Sequence, residues 1–419
     1  MKIASIKGFA DILPGDVELW QTVESAARQV FRAYSFAEIR IPVLEKTDLF
    51  SRSIGETTDI VEKEMYTFKD RDDTPITLRP EGTAGVVRAY VQAEMFKVEP
   101  VRKLFYLGPM FRRERPQKGR MRQFHQIGAE ALGRGDPMID AEILLMLHDF
   151  FVALGLREPA LQLNSLGDAA CRPAYREKLL AFLKARQESL CADCRRRIDR
   201  NPLRVLDCKE PGCIAATRDA PSILDSLCAP CREHFNAVSQ FLQDAGLHFT
   251  LNPRMVRGLD YYGRTTFEWT TALLGTQSAV AAGGRYDGLV QELGGPAIPG
   301  VGFALGVERL TMLLKMQERP SPTGPSVYVV WVGERARDWL FPVVHRLRQK
   351  GIAVEMEGET RSLKSQMRRA DKLKALSVLI VGDDELGKGA VVLRDMAGKQ
   401  QEEIKLDELE DVLTSRKAS

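Results

Sequence analysis

The chain has little excess charge of either sign, no long apolar run and few cysteines. Its 60 Lys and Arg nearly balance 57 Asp and Glu, leaving a net charge of +3. That excludes a strongly basic tail protein, so any nucleic-acid contact has to come from local patches. The opening stretch, MKIASIKGFADILPGD, lacks a sustained hydrophobic segment, and the most apolar later run, Ile143 to Leu156, is interrupted by His148 and Asp149. Neither a signal peptide nor a membrane span is expected, and a cytoplasmic protein follows from that reading. Of the seven cysteines, six fall between Cys191 and Cys231. Clustering of this kind argues against a disulfide framework for the whole molecule. What the chain does have is length, 419 residues, enough for two or three domains with sizeable cores.

Chemistry concentrates between Leu104 and Glu130. Leu104 to Glu114 and Arg122 to Glu130 read as two strands, and Arg115-Pro116-Gln117-Lys118-Gly119-Arg120 as the loop joining them. Alternation puts Arg112 and Glu114 on one face of the first strand, and Gln126 and Glu130 on one face of the second. With the strands paired about Lys118, all four lie on the same side. A solvated hairpin face would also carry such residues. The neighbours Phe105, Leu107, Phe111, Phe124 and Ile127 point instead to a buried sheet, where unpaired charges are costly, so the cluster reads as a ligand site.

Upstream, Val17 to Tyr34 has the three-to-four spacing of an amphipathic helix, and Ala37 to Val43 reads as a strand with Pro42 near its end. Met65 to Phe68 and Ile76 to Leu78 bracket a charged turn as a second hairpin. Arg79-Pro80-Glu81-Gly82-Thr83 then leads into a helix from about Ala84 to Met95, where Glu81 and Thr83 either cap the helix or hold a ligand ammonium. A long helix is expected over Asp136 to Leu154 and a strand over Ala160 to Leu166.

From about Asp168 to Glu233 the composition turns Arg-rich and helical, the pattern of an insertion. It holds the pairs Cys191/Cys194 and Cys228/Cys231, with Cys208 and Cys213 between them. A structural zinc on Cys191, Cys194, Cys228 and Cys231 is one reading, with Cys208 and Cys213 able to replace the second pair. The spacing exceeds the usual zinc-ribbon interval, and free buried thiols are the favoured alternative.

Strands resume near His248, over Thr265 to Thr270, Ala279 to Tyr286 and Val301 to Leu305, the last turning into a helix that carries Glu308 and Arg309. A helix N-terminus with an Arg beside it suits a phosphate, although an exposed helical Arg is the simpler reading of that feature alone. Gln317 to Pro325 is a Pro-rich linker. Beyond it, strands at Val327 to Val332, Ala353 to Met356, Ser377 to Val381 and Ala390 to Arg394 alternate with helices at Asp338 to Lys350 and Ser362 to Leu373. That order predicts a small α/β domain with a largely parallel sheet. Arg361, Lys364, Arg368 and Lys372 form a basic stripe on the second helix, a candidate RNA contact.

Phe111-Arg112-Arg113-Glu114 and Gly306-Val307-Glu308-Arg309 resemble motifs 2 and 3 of class II aminoacyl-tRNA synthetases, and the helix and strand ending at Pro42 resemble motif 1, the dimer-forming element of that family. Arg257-Gly258-Leu259-Asp260-Tyr261-Tyr262 and Gly283-Gly284-Arg285-Tyr286-Asp287-Gly288 are similar to two signatures of histidyl-tRNA synthetases. The resemblance implies an α+β fold. A class II antiparallel sheet flanked by helices would occupy residues 1–320, with the insertion at about 168–236 and a C-terminal α/β anticodon-binding domain at 326–419.

It also implies a homodimeric ligase that joins L-histidine to ATP with Mg²⁺, and transfers the histidyl group to tRNA(His). Arg112 and Arg257 would be the catalytic arginines, on opposite sides of the α-phosphate, with Arg112 also at the histidine carboxylate. Glu114 would meet the adenine and Arg309 the γ-phosphate. Glu81, Gly82, Thr83 and Gln126 would surround the α-amino group, with Tyr261 lining the pocket and Glu130 and Tyr262 on the two ring nitrogens. Arg115, Gln117, Lys118 and Arg120 would reach the tRNA acceptor end. No zinc is implied. Non-catalytic relatives, such as a phosphoribosyltransferase regulatory subunit, lack the C-terminal domain and typically lose signature residues, whereas Arg112, Arg257 and Arg309 are all present here. A regulator that senses tRNA would call for an attached effector domain, and none is visible in the sequence.

Overall fold

The computed structural model describes residues 3–55, 58, 60–117, 119–317, 324–359 and 361–417. The chain divides into two compact units, Met1–Arg319 and Pro320–Ser419. Most of the expected Gln317 to Pro325 linker lies outside the described residues.

The first unit is built on eight strands, in spatial order Ala37–Glu38, Arg102–Phe111, Gln123–Leu132, Gly300–Gly306, Ala279–Arg285, Gly263–Thr270, Ala160–Ser165 and Phe249–Leu251. The two outermost pairings are parallel and the five between them antiparallel. Alternation sends odd-numbered residues such as Phe105, Ala129 and Phe303 to one face, where they meet helices. The helix Val17–Ala33 buries Trp20, Val23, Ala27 and Phe31 there. Phe31 packs edge-on at 5.5 Å from Phe105 and 5.8 Å from Phe303, and lies 5.6 Å from Phe150 of the helix Pro137–Ala153. Even-numbered residues of the same strands, including Tyr106, Gln126 and Glu130, point the other way.

The central hairpin pairs Leu104 with Glu130 and Phe111 with Gln123, so it turns about Gln117 and not Lys118. That offset keeps even residues opposite even residues, and the expected shared face survives. Lys118 itself lies outside the described residues.

The strand expected over Ala37 to Val43 is only Ala37–Glu38. Pro42 has no N–H for a ladder. The Arg79 side chain instead takes the carbonyls of Ile41 at 2.7 Å, Pro42 at 3.2 Å and Pro109 at 2.8 Å. The chain then joins a separate three-stranded sheet as Leu44–Lys46, beside the expected hairpin of Tyr66–Lys69 and Pro75–Leu78. The insertion is helical, with Arg172–Lys184, Ala192–Arg200, Pro211–Ala216 and Ala229–Asp244 as its α-helices.

The second unit departs from the expected largely parallel sheet. Its five strands, in order Val354–Met356, Val327–Val332, Ser377–Gly382, Ala390–Asp395 and Gln401–Lys405, make two parallel and then two antiparallel pairings. The additional strand Gln401–Lys405 is mostly exposed and charged, with Ile404 its one buried residue, so it carries little hydrophobic signal. The sheet turns antiparallel already at Ala390–Asp395, which runs opposite to Ser377–Gly382, and Gln401–Lys405 extends that half.

Candidate active site

The even-numbered sheet face floors a cavity of about 240 Å³. Glu81, Thr83, Arg112, Glu114, Arg120, Gln126, Arg257, Tyr261, Tyr262 and Arg309 all line it, although they span more than half of the chain. Arg115 and Gln117 are exposed and are not among the lining residues. The backbones of Gln117 and Arg120 bond each other at 2.9 and 3.0 Å, which closes the loop tip as a tight turn.

Beside the cavity sits a polar, buried cluster. The Glu81 carboxylate accepts from the backbone N–H groups of Thr83 at 2.6 Å and Ala84 at 2.8 Å, so it caps the helix Thr83–Gln92. Thr83 Oγ1 donates to Glu130 Oε1 at 2.7 Å, and the Tyr286 hydroxyl donates to Glu130 Oε2. Glu130 is fully buried, and burial pushes its pKa up to about 8, with the nearby Glu81 charge adding to the rise and the two hydrogen bonds opposing it. Room for this carboxylate comes from Gly302 on the neighbouring strand, where a Cβ would stand 1.8 Å from Glu130 Oε2. Gly82 yields in the same way to the Tyr106 ring, which would lie 2.2 Å from an added Cβ. Gln126 Oε1 is buried and has no hydrogen-bond partner among the described residues.

Guanidinium groups converge on the same cavity. Arg112 donates through Nε to the Pro80 carbonyl at 2.9 Å and lies over the Phe124 ring at 5.3 Å. Arg309 reaches the Ala279 carbonyl, and the Gly119 carbonyl at 3.4 Å. Its pKa is lowered, first by burial and then by repulsion from Arg120 and Arg112, with Glu114 opposing. Arg257 ion-pairs with Glu268 and lies 5.7 Å from the Tyr262 ring centre. Burial works against its charge, but Glu268 and the two tyrosines raise its pKa overall. Arg257 Nε has no hydrogen-bond partner among the described residues. Glu114 sits against Arg120, with Arg112 Nη1 at 3.9 Å.

Several contributors are given no role by sequence reasoning. Glu268 is one, recognisable only as a carboxylate alternating between Phe267 and Trp269 in an apolar strand. Tyr286 stands out in the sequence only as part of a signature. Glu308, beside the phosphate-type Arg309, ties helix to sheet. Its oxygens accept from the His125 backbone N–H at 2.9 and 3.1 Å and lie 3.1 Å from the His125 ring Nδ1. Arg285 of the glycine-rich signature is fully buried at Asp140 (3.0 Å) and Asp287 (3.0 Å) and serves the scaffold. Gly283, two residues before it, runs against the Gly302 carbonyl, 2.2 Å from where a Cβ would sit.

The cysteines do not group as Cys191, Cys194, Cys228 and Cys231; the alternative, with Cys208 and Cys213 in place of the second pair, is the one that forms. Cys191 and Cys194 lie with Cys208 and Cys213, while Cys228 and Cys231 lie with Cys171 and Asp168. Chain spacing suggests joining the two CxxC pairs, but each pair opens a different helix and finds its partners elsewhere.

An antiparallel sheet whose central hairpin presents arginine and carboxylate to a cleft, with a strand-to-helix arginine opposite, defines a class II aminoacyl-tRNA synthetase. Residues 8–310 match the histidyl-tRNA synthetase family and residues 326–416 the anticodon binding domain family. The histidine–tRNA ligase of Geobacter sulfurreducens is 58% identical over 404 residues, covering 96% of this chain and 97% of its own length. That of Syntrophotalea carbinolica is 56% identical, with 99% of each chain covered. The crystal structure of apo S. aureus histidyl-tRNA synthetase superimposes with a TM-score of 0.82 at 35% identity, covering 99% of this chain and 100% of the other. The chain belongs to the histidyl-tRNA synthetase family.

Proposed function

We propose that the protein is a histidine–tRNA ligase: it activates L-histidine with ATP to histidyl-adenylate and diphosphate, then transfers the histidyl group to the 3′ end of tRNA(His), releasing AMP. The observation that carries the reading is one cavity lined by Arg112, Arg120, Arg257 and Arg309 together with Glu81, Thr83, Gln126, Tyr261 and Tyr262, with the buried Glu130 held beside it by Thr83 and Tyr286.

In the first step a histidine carboxylate oxygen bonds to the α-phosphorus as the bond to diphosphate breaks. The protein has to align the reactants and neutralise charge. Arg112 and Arg257, from the hairpin and from the loop before the strand Gly263–Thr270, would flank the α-phosphate, with Arg112 also on the histidine carboxylate. Arg309 would hold the γ-phosphate and Glu114 the adenine amino group. Mg²⁺, when bound, would neutralise phosphate charge. The cavity's carboxylates are largely engaged, Glu114 with Arg120, Glu268 with Arg257 and Glu308 with His125. Such a wall fits an ion held chiefly by phosphate oxygens and water, not by a protein cage.

Glu81, Thr83 and the unpartnered Gln126 Oε1 would receive the ammonium, at a helix entry where Gly82 lets the backbone come close. Once it gives up its proton, the Glu130 carboxylate offers more than two acceptor positions and can take an imidazole N–H beside its bonds from Thr83 and Tyr286. Tyr262 would donate to the other ring nitrogen, and Tyr261 would complete the wall. A pocket of this kind rejects amino acids that leave its polar groups unpaired. The exposed Arg115, Gln117 and Arg120, together with Lys118, would meet the acceptor end of the tRNA, and the second unit its anticodon. The motif 1 segment ending at Pro42 would support a homodimer. The enzyme would act in the cytoplasm without a membrane partner; no helix among the described residues is long and apolar enough to cross a membrane.

Amino-acid-dependent ATP–diphosphate exchange with each standard amino acid tests this function. Histidine alone should support exchange. Exchange with none would overturn the enzyme, and exchange with another amino acid would overturn the specificity. Sedimentation at micromolar concentration tests the dimer.

A further inference from the structure

The seven cysteines separate without remainder into a set of four and a set of three. Cys191, Cys194, Cys208 and Cys213 place their sulfurs within 4.8 Å of one another, and Cys171, Cys228 and Cys231 do the same with a carboxylate oxygen of Asp168. All seven are free thiols. We propose that these are two structural zinc sites, one with four cysteine ligands and one with three cysteines and an aspartate, which together hold the insertion folded.

Geometry and chemistry favour a cation over the alternatives. Ligands at zinc–sulfur distances of about 2.3 Å in a tetrahedron stand roughly 3.8 Å apart. Here Cys191 and Cys208 sulfurs are 4.0 Å apart and Cys171 and Cys228 sulfurs 3.1 Å, while Asp168 Oδ1 lies 3.4 Å from the Cys171 sulfur and 3.9 Å from that of Cys228. Disulfides account poorly for this, since a set of three leaves one thiol unpaired and the Asp168 carboxylate would be left among sulfurs.

The backbone is arranged for thiolates. The Cys194 N–H points at the Cys191 sulfur at 3.4 Å, the Cys191 N–H at the Cys213 sulfur at 3.1 Å and the Cys228 N–H at the Cys171 sulfur at 3.1 Å. Cys171, Cys191 and Cys228 are the N-cap residues of Arg172–Lys184, Ala192–Arg200 and Ala229–Asp244, so each sulfur also sits at the positive end of a helix. Each complete complex would be doubly negative. Arg264 stands 3.6 Å from Asp168, and the helix Ala192–Arg200 carries Arg195, Arg196, Arg197 and Arg200.

The fold gives the sites a structural role. Asp168 and Cys171 stand where the chain enters the insertion, Cys228 and Cys231 where it leaves, so one ion would clamp the base. The other would pin Ala192–Arg200 to the turn at Cys208 and the helix Pro211–Ala216. Short helices joined by irregular turns bury too little to be stable alone, and a metal is the usual remedy.

The test is metal analysis of the untagged full-length protein purified without added zinc. Two zinc ions per chain are expected. Cys208→Ser and Cys228→Ser should each lose one ion, and the double variant both. Cobalt-grown protein should show tetrahedral cobalt–thiolate absorption, and Asp168→Cys should keep two ions while strengthening the charge-transfer band. Should a serine variant fail to fold, Cys208→His keeps a ligand and should retain the metal. Protein with no metal and seven titratable thiols, or with thiols missing as disulfides, would overturn the proposal. So would a parent that holds a single ion which either single variant abolishes, because that means one shared site.

Discussion

Thr83 Oγ1 and Glu130 Oε1 are 2.7 Å apart, a bond from the first residue of one helix to the far half of a central strand. It joins the helix that Glu81 caps to the carboxylate that Gly302 makes room for. On the proposed function, recognition and folding depend on the same buried contacts, and a change to one is expected to show in the other.

The protonation of Glu130 gives this dependence a pH signature. Its folded pKa is about 8 against an ordinary 4.5. Between those values the folded protein holds a proton that the unfolded chain has released, so this group's stability contribution is present below 4.5 and lost as pH rises through 8. Glu130→Gln should flatten that fall. The melting temperature of the variant should drop less than the parent's between about pH 5 and pH 8, and histidine-dependent exchange should be lost. Parallel melting curves for the two proteins would refute the assignment.

Arg257→Ala should abolish adenylation more than histidine binding, because the guanidinium is assigned to the α-phosphate. A loss of about a hundredfold or more in single-turnover adenylate formation is expected. Truncation also leaves Glu268 without its partner, so Arg257→Ala with Glu268→Gln serves as the control for a buried unpaired charge. Unchanged single-turnover rates in both would remove Arg257 from the chemistry.

Much of this site is legible in the sequence because alternation is a strong signal: a carboxylate, an amide and an arginine on one face of an apolar hairpin have few places to go. The register needs only even parity, and turning about Gln117 preserves it. Contacts that depend on tertiary approach are not legible. Neither the Arg257–Glu268 pair nor Tyr286 beside Glu130 has a local spacing, and the Gly302 requirement exists only once Glu130 is beside it. The cysteines show the same limit. CxxC spacing identifies ligand pairs, but their partners, among them Cys171 and Asp168, are decided by how four helices pack.

Gly302→Ala tests the close approach directly. The added methyl would stand 2.5 Å from the Ala129 carbonyl as well as against Glu130, and backbone on a paired strand cannot move aside alone. A destabilisation of roughly 1–3 kcal/mol is expected from overpacking, measured by denaturant midpoint, with a raised KM for histidine. Adding Glu130→Ala should recover part of the stability and none of the activity.

Metal removal should reach the histidine pocket through the insertion. Arg172 donates to the Tyr262 carbonyl, Arg204 to the Gly258 carbonyl, and Asn201 to Asp260 at 3.3 Å. Those residues belong to the loop that carries Arg257, Tyr261 and Tyr262. Chelator-stripped protein should show a KM for histidine raised about tenfold, with a smaller change in KM for ATP, reversed by added zinc. Equal kinetics before and after stripping would mean the loop holds its shape without the insertion.

The second unit makes a separable prediction. Lys364, Arg368 and Lys372 are exposed along the helix Leu363–Lys372, whereas Arg361 lies 3.2 Å from Glu359 and 3.9 Å from Glu357. Counterion release on single-stranded RNA contributes a salt slope of about 0.7 for each phosphate contacted. Lys364→Gln, Arg368→Gln and Lys372→Gln together should weaken tRNA binding and lower that slope by about 2. Amino-acid-dependent exchange needs no tRNA and should stay at the parent rate. A triple variant with unaltered tRNA affinity and salt slope would place the RNA on another face of this domain, and a loss of exchange would show that the substitutions had disturbed more than a surface.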